Sequence, residues 1–193
     1  MASIPVKFLP AINSIIEKEV GPGTEIDPVG GYTDDPSDRG GETRWGIIKS
    51  VWRANGYSGP ILQAPRSLAE TIYFNRYISI PQFDRVSAVN YLIAYELIDT
   101  GVNMGPAIAA MFLQRWLNSF NFEGVLGGDL FCDGRIGPQT IQMLKNYLHE
   151  RGELGVTVLL KALNGVQANR YLEITEANKT QRKYSFGWIA GRT

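Results

Sequence analysis

The sequence predicts a mainly α fold with one small β-hairpin. Apolar residues recur at helical spacing along most of the 193 residues, whereas residues 20–46 are crowded with glycine and proline. The composition is typical of a globular chain, with 44% hydrophobic and 20% charged residues. No apolar stretch reaches the roughly 20 residues that span a bilayer, so we expect no stable membrane insertion.

The first predicted helix runs from Phe8 to Glu19. Its apolar residues occupy the i, i+4, i+7 and i+8 positions of an amphipathic helix, namely Phe8, Ile12, Ile15 and Ile16. One further step along this stripe reaches Glu19, which we therefore expect on the buried face at the helix end. Burying an unpaired carboxylate is unfavourable, so this placement indicates a function.

The other elements follow from turn residues and periodicity. A loop and an irregular hairpin come next, with Tyr32, Thr33, Thr43 and Trp45 as the strand residues. Later helices are predicted over residues 47–55, 68–77 (capped by Ser67), 87–100, 106–120, 138–148 and 154–176. A break at 101–105 separates the helix 87–100 from the helix 106–120.

The scarcity of cysteine and histidine excludes several kinds of chemistry. Cys132 fits a half-buried apolar position and His149 a polar helix end, and each is the only residue of its type. Cys/His metal sites and Cys–His proteases are thereby excluded, and we expect neither a metal nor a cofactor. The net charge of +0 argues against nucleic-acid binding. In an enzyme of this composition, carboxylates would carry the chemistry.

Acidic residues are concentrated between the first helix and Ile47, at Glu25, Asp27, Asp34, Asp35, Asp38 and Glu42. Any one aspartate alone is typical of a turn, and the ligand spacing of an EF-hand is absent. Glycosidic bond cleavage needs a protonated carboxylic acid near the leaving oxygen and a second group across the cleft. A glutamate at an apolar helix end, facing a glycine-rich hairpin, fits that requirement.

The run 35–47, Asp-Pro-Ser-Asp-Arg-Gly-Gly-Glu-Thr-Arg-Trp-Gly-Ile, resembles the motif of the glycoside hydrolase family 108 muramidases. This family includes phage endolysins and bacterial secretion-activator muramidases. The resemblance continues in order through residues 95–106, 113–114, 133–140 and 181–188. The segment 133–140 also resembles the Asp-Gly-x-x-Gly-x-x-Thr turn of peptidoglycan-binding modules.

The resemblance implies a lysozyme-like fold with a catalytic glutamate directly before Gly-Gly-Tyr. In this chain the inserted segment Val20–Val29 separates Glu19 from Gly30-Gly31-Tyr32. Because the helical register leads into Glu19, we assign the catalytic acid to Glu19, with Glu25 as its competitor. Thr43 matches the hairpin threonine of the family and is a candidate to bind the nucleophilic water or the sugar.

The second carboxylate is assigned to Asp38 or Asp35. Their spacing in the sequence does not distinguish the two, and either aspartate can have a purely structural role. Tyr32 is a candidate for stacking on a sugar ring, as are Trp45 and Tyr73, although single aromatic residues more often pack in a core.

Asp99 and Asn103 are four residues apart and would share a helix face. They are candidates for the floor of the cleft. The alternative is a polar pair that caps a helix break at Gly101.

The resemblance implies a catalytic region over residues 1–92 and a helical peptidoglycan-binding region over 93–193, packed as one compact unit. The implied activity is hydrolysis of β-1,4 bonds between N-acetylmuramic acid and N-acetylglucosamine by a monomer that binds peptidoglycan strands. A lytic transglycosylase and a non-catalytic wall-binding or assembly protein are the alternatives.

The N-terminus lacks the basic and apolar segments of a secretory signal. We therefore expect synthesis in a host cytoplasm and action on the periplasmic wall after holin-type or other release. A bacterial muramidase that supports secretion has the same sequence pattern.

Overall fold

The computed structural model describes residues 4–20, 31–34 and 41–190. Helices make up most of this part of the chain, and one two-stranded antiparallel sheet accompanies them. The prediction of a mainly α fold with a small β-hairpin is confirmed. The chain divides into two compact units, Met1–Ile80 and Pro81–Thr193. The boundary predicted after residue 92 falls within the second unit.

The elements of the first unit alternate short helices with the hairpin. In chain order they are a 3₁₀ turn Val6–Phe8, α1 Leu9–Glu19, β1 Thr43–Arg44, β2 Ile47–Ile48, α2 Lys49–Ala54, a 3₁₀ turn Ile61–Gln63, α3 Arg66–Phe74 and a π-helical turn Asn75–Ser79.

Helix α1 forms as the apolar spacing predicts. Ile12, Ile15 and Ile16 are buried, and α1 packs against α3. Arg66 at the start of α3 reaches back to α1 and donates a 2.8 Å hydrogen bond to Asn13 Oδ1. The end of α1, and with it Glu19, is thereby fixed relative to α3.

Two details of the first unit differ from the prediction. Ile47 and Ile48 pair with β1 in strand β2, so the helix predicted from Ile47 begins only at Lys49. Ser67 lies inside α3 and does not cap it; the residue before the helix is Pro65, which has no side-chain cap. Proline fixes the entry φ, so it can start a helix without a capping hydroxyl.

The regular elements in the described part of the second unit are all helical, and residues 125–137 form a loop between two of them. The elements are α4 Phe83–Ser87, α5 Tyr91–Met104, α6 Pro106–Ser119, a 3₁₀ turn Phe122–Gly124, α7 Pro138–Ala177, a 3₁₀ turn Lys179–Gln181 and α8 Arg182–Ala190. Helices α5, α6 and α7 pack on one another. Trp188 of α8 stacks on Tyr171 of α7 at a centroid distance of 4.9 Å and so joins the last helix to α7.

The predicted helix 87–100 is present as α5, but both of its predicted ends are wrong, and the predicted break at 101–105 is confined to Gly105. Asn90 caps α5 by accepting a hydrogen bond from Ile93 N, and the helix continues to Met104. Gly101 is a buried helical residue. A Cβ there would lie 3.4 Å from Phe83 Cε2 and from Pro106 Cα, which is van der Waals contact. The helix ends at Gly105, where φ is +96°.

The two helices predicted over 138–148 and 154–176 are the two parts of α7. Gly152 interrupts them with φ +57° and ψ −149°, a non-helical conformation. Glycine adopts positive φ without steric penalty, so the chain bends there. Among the described residues, every helix is too short or too polar to cross a lipid bilayer.

Candidate active site

Glu19 is the last residue of α1, and Val20 after it is extended. The Glu19 side chain is exposed, so the prediction that it lies on the buried face is wrong. The buried stripe of α1 ends at Ile16, one turn earlier. The base of the Glu19 side chain is nevertheless held closely by the hairpin.

The hairpin turn consists of Trp45 and Gly46, between the paired residues Arg44 and Ile47. Both turn residues have positive φ, +54° and +70°, the pattern of a type I′ turn. A Cβ at Gly46 would lie 2.6 Å from Glu19 Cβ and 2.8 Å from Tyr73 Oη. Only glycine fits at this point, because the turn lies directly against the catalytic candidate.

Positive φ is strained for a residue as bulky as tryptophan, and several contacts hold Trp45 in place. The residue is 5% exposed, and its Nε1 donates a 2.9 Å hydrogen bond to Ala64 O. The guanidinium groups of Arg44 and Arg66 lie 5.1 and 5.5 Å from the ring centroid. Trp45 is therefore a core residue and does not offer its face to a sugar.

Tyr73 of α3 fixes the same turn from the other side. Its hydroxyl donates a 2.8 Å hydrogen bond to Trp45 O, and the residue is 4% exposed. Burial raises the pKa of the Tyr73 phenol well above its usual range, and the nearby charge of Glu19 raises it further. Tyr73 thus stays protonated and serves as a permanent donor beside Glu19.

A cleft of about 310 Å³ opens at this point, and Glu19 lies in its wall. The lining combines this carboxylate with apolar, aromatic and basic side chains from the hairpin, α2, α3 and the π-helical turn: Gly46, Ile47, Ile48, Val51, Ile72, Tyr73, Arg76 and Tyr77. The rings of Tyr73 and Tyr77 stack 6.1 Å apart with an interplanar angle of 14°. Tyr73 is too buried to stack on a sugar itself, whereas the Tyr77 ring is half-buried and lines the cleft. A carboxylic acid beside such a ring is suited to binding and protonating a glycan.

Of the residues assigned to the second group, only Thr43 lies in the described part of the chain. Thr43 is half-buried in β1. Its backbone pairs with Thr33, and its hydroxyl donates to Gly41 O over 3.2 Å. It does not line the cleft beside Glu19. Asp35 and Asp38, and Glu25 as the competing acid, lie outside the described residues.

Tyr32, assigned to sugar stacking, takes part in a network across the hairpin. Its hydroxyl donates to Glu42 Oε1 over 3.0 Å, and Lys49 Nζ pairs with Glu42 Oε2 at 2.6 Å. The hydrogen bond from Lys49, followed by that from Tyr32, lowers the pKa of Glu42. Burial, followed by the bond to Glu42, raises the pKa of Tyr32. Tyr32 therefore ties the segment before β1 to the hairpin.

Asp99 and Asn103 lie one turn apart on α5 of the second unit, as their spacing predicts. Asn103 is exposed and its Nδ2 donates a 2.7 Å hydrogen bond to Asp99 O, while Asp99 is half-buried. The bond lies within the last turns of α5, so the pair does not cap a break at Gly101. Their role in substrate binding stays a prediction.

Sequence reasoning missed the part of the cleft that comes from Arg76 and Tyr77. The spacing of Tyr73, Arg76 and Tyr77 at i, i+3 and i+4 in a predicted helix indicates a shared face and could have revealed them. Within the described residues, no group of His, Cys, Asp or Glu side chains is arranged to hold a metal ion.

Comparison with known families assigns both halves of the chain. Residues 26–105 match the family model described as Glycosyl hydrolase 108. Residues 108–193 match a second model, described as Predicted Peptidoglycan domain. The chain therefore carries a glycoside hydrolase domain of the lysozyme-like class followed by a peptidoglycan domain, and the family resemblance predicted from the sequence is confirmed.

The family match begins at residue 26, after both Glu19 and Glu25. It supports the hydrolase class but does not decide between the two glutamates. Among solved structures, that of Brucella abortus SagA matches with a TM-score of 0.56 and 20% identity, over 95% of this chain and 87% of that chain. At this identity the likeness shows the fold alone. The comparison with curated proteins finds no match.

Proposed function

We propose that the protein is an N-acetylmuramidase that hydrolyses the β-1,4 bond between N-acetylmuramic acid and N-acetylglucosamine, with Glu19 as general acid. The observation that carries the proposal is the cleft in which Glu19 lies beside the stacked rings of Tyr73 and Tyr77. The two family matches support a glycosidase that acts on peptidoglycan. The choice of bond rests on the sequence resemblance.

In this proposal a glycan strand lies along the cleft and covers the Glu19 carboxyl. The carboxyl donates its proton to the glycosidic oxygen as the bond to the anomeric carbon breaks, which leaves an oxocarbenium-like sugar. Water then adds to the anomeric carbon and gives up its proton to a base. Gly46 and Tyr73 hold the Glu19 side chain in position, because they contact its base and the adjacent turn.

The second group is proposed to come from the hairpin. Thr43 lies outside the lining of the cleft, but its hydroxyl proton is given to Gly41 O. We propose that its lone pairs accept a hydrogen bond from the attacking water or the sugar when a glycan strand is bound. Asp38 or Asp35 would accept the proton of that water. We propose these roles on the strength of the sequence motif that contains all three residues.

Mass spectrometry of the muropeptides released from purified sacculi tests the proposal. Reducing ends on N-acetylmuramic acid are expected. Anhydro-muramic ends would mean a lytic transglycosylase, and reducing ends on N-acetylglucosamine would mean a different bond. Sacculi that sediment with the protein but release nothing would support a non-catalytic wall-binding protein.

The resemblance of the motif 35–47 allows two biological roles, that of a phage endolysin and that of a secretion-linked muramidase. We propose the endolysin role and give the test that separates the two. Expression in a Gram-negative host should leave the culture turbid until chloroform opens the inner membrane, and turbidity should then fall. Lysis without chloroform, or recovery of the protein from the periplasm of intact cells, would instead favour a secretion-linked muramidase.

A further inference from the structure

The π-helical turn Asn75–Ser79 shapes the side of the cleft that the proposed acid chemistry does not use. Ile80 N donates to Asn75 O over 2.9 Å, a bond that spans five residues. Such turns are rare and occur frequently at functional sites. Here the turn carries Arg76 and Tyr77, and both line the cleft together with Glu19.

Arg76 is exposed, yet its guanidinium group is held in a defined place. The guanidinium carbon lies 5.3 Å from the centroid of the Tyr77 ring. The Tyr77 ring in turn stacks on Tyr73, which is buried. Cation–π stacking of this kind orients the planar guanidinium while its N–H groups still face solvent.

The described residues give Arg76 no anionic partner. None of the ion pairs in this part of the chain includes Arg76. The charge of Arg76 nevertheless affects Tyr73, another residue of the cleft wall. Burial raises the pKa of Tyr73 most, and the charges of Glu19 and Tyr77 raise it further. The positive charge of Arg76 acts in the opposite direction and lowers this pKa. Arg76 therefore lies in the wall of the cleft without an ion-pair partner among the described residues.

The hydroxyl and acetamido groups of a glycan chain are uncharged and form no ion pair with a guanidinium group. N-acetylmuramic acid differs from N-acetylglucosamine by a lactyl substituent, whose carboxyl group is either free or linked to a peptide that ends in free carboxylates. Guanidinium groups match carboxylates in a planar, two-point hydrogen bond. An oriented, unpaired arginine beside the acid thus fits the charged substituent of muramic acid.

We propose that Arg76 binds a carboxylate on the substituent of the muramic acid residue and so selects peptidoglycan over uncharged glycans. The inference rests on the proposed function, since it assumes a peptidoglycan strand in the Glu19 cleft. The carboxylate has two possible sources, the peptide stem or the bare lactyl group. Arg76 binds the substrate in this account and takes no part in proton transfer.

Binding of short muropeptides to the full-length chain tests the proposal. We would measure the Kd of a tetrasaccharide in three forms: with intact peptide stems, with the stem carboxylates converted to amides, and with the stems removed to expose the lactyl carboxylate. The measurements use E19Q, which prevents turnover, with and without R76Q. The matched control is R85Q, which removes another arginine that does not line the cleft.

E19Q should bind at least one carboxylate form about tenfold or more tightly than the amidated form. Preference for the intact form identifies the stem as the source, and preference for the stripped form identifies the lactyl group. R76Q should abolish the preference and R85Q should preserve it. R76K should retain part of it, because lysine keeps the charge but lacks the planar fork.

The proposal is wrong if E19Q shows no carboxylate preference or no binding, or if R76Q keeps the preference. Wild-type turnover of the same tetrasaccharide tests the proposed function separately. A chain that shows the Arg76-dependent preference but releases no product would retain the binding inference and lose the muramidase assignment.

Discussion

Gly46 is the residue on which the geometry around Glu19 depends most directly. Its φ of +70° and its missing side chain let the hairpin turn lie against Glu19 Cβ and Tyr73 Oη. A larger residue must displace one of these groups or the turn. Misplacement of a catalytic group by about 1 Å can reduce turnover by about a hundredfold. The position of Glu19 is therefore coupled to a glycine in a different element.

We predict that Gly46→Ala lowers stability by about 1–3 kcal/mol and lowers glycan turnover by at least about tenfold. Gly56→Ala is the matched control, because Gly56 has φ +83° but no atom within 4 Å of the place that an added Cβ would take. It reports backbone strain without the clash. Thermal unfolding and turbidity assays of both variants provide the measurement. Equal losses of activity in the two variants would contradict the account.

At the scale of elements, α6 holds the loop of residues 125–137 through its amide side chains. Gln114 and Asn118 lie one turn apart on α6, and Asn121 follows the end of the helix. Asn118 bonds both N and O of Leu130, and Asn121 bonds Leu126 N and Gly127 O. Buried backbone groups need such partners, so the amides substitute for a neighbouring strand.

Gln114 is buried, at 2% exposure. Its Nε2 donates to Asp133 Oδ1 and Arg135 O, and its Oε1 accepts from Gly134 N, all at 2.9 Å. The Asp-Gly-x-x-Gly-x-x-Thr motif is thus folded around this amide. The motif has a structural role here that is independent of any ligand.

We predict that Gln114→Leu destabilises the protein by about 2–4 kcal/mol, because it leaves buried polar groups without partners. The exposed Gln142, changed to Leu, is the control and should alter stability by less than about 0.5 kcal/mol. Chemical denaturation measures both. A neutral Gln114→Leu would show that the loop does not depend on the amide.

The hydrogen bond from Gln114 to Asp133 should also make the stability of the protein depend on pH in acid solution. The hydrogen bond from Gln114, followed by that from Arg135 N, lowers the pKa of Asp133. A lowered pKa contributes stability above the ordinary range of the carboxyl and loses it as pH falls through the folded-state value. Gln114→Leu should therefore reduce the loss of stability on acidification. Denaturation curves of the wild type and of Gln114→Leu at several pH values below about 5 measure this difference. An equal loss of stability in the two proteins would contradict the prediction.

The helices were predictable because each buries an apolar stripe with strong periodicity, as α1 and α6 do. Their ends were less predictable, because packing and local bonds decide them. Gly101 continues a helix in which it is buried between Phe83 and Pro106, and Pro65 replaces the expected Ser67 cap. Short periodicity cannot reveal these tertiary contacts.

The candidate site was predictable only in part. The end of α1 and the hairpin identified Glu19, but Glu19 is exposed because the buried stripe ends at Ile16. Arg76 and Tyr77 enter the cleft through a π-helical turn that periodicity does not predict. The positive φ of Trp45 depends on its contacts with Ala64 and Tyr73, which lie far away in the sequence.

At the scale of the whole molecule, stability should fall in alkaline solution. Burial is the largest cause that raises the pKa of Tyr32, Tyr73, Tyr91 and Tyr147. The unfolded chain loses these protons near the ordinary tyrosine value of about 10, while the folded chain retains them. Stability is therefore complete below that pH and falls as pH rises above it.

Tyr73→Phe should flatten this alkaline decline, because it removes the most strongly shifted phenol. The melting temperature measured from about pH 8 to 11 gives the comparison. A decline as steep as that of the wild type would mean that Tyr73 does not contribute to it.

The two family assignments give the molecule a hydrolase domain and a peptidoglycan domain in one chain. In the proposed mechanism, activity on the wall depends on one carboxyl group in the unit Met1–Ile80. The inserted segment Val20–Val29 leaves two glutamates that could supply it, and of these only Glu19 belongs to the described residues, where it lines a cleft.

The most direct test of this central claim is the rate of sacculus lysis by Glu19→Gln compared with Glu25→Gln. We predict that Glu19→Gln loses at least about a hundredfold in rate. Its thermal melt should be unchanged, since the side chain is exposed, and Glu25→Gln should retain activity. Near wild-type lysis by Glu19→Gln, together with loss of activity in Glu25→Gln, would contradict the assignment.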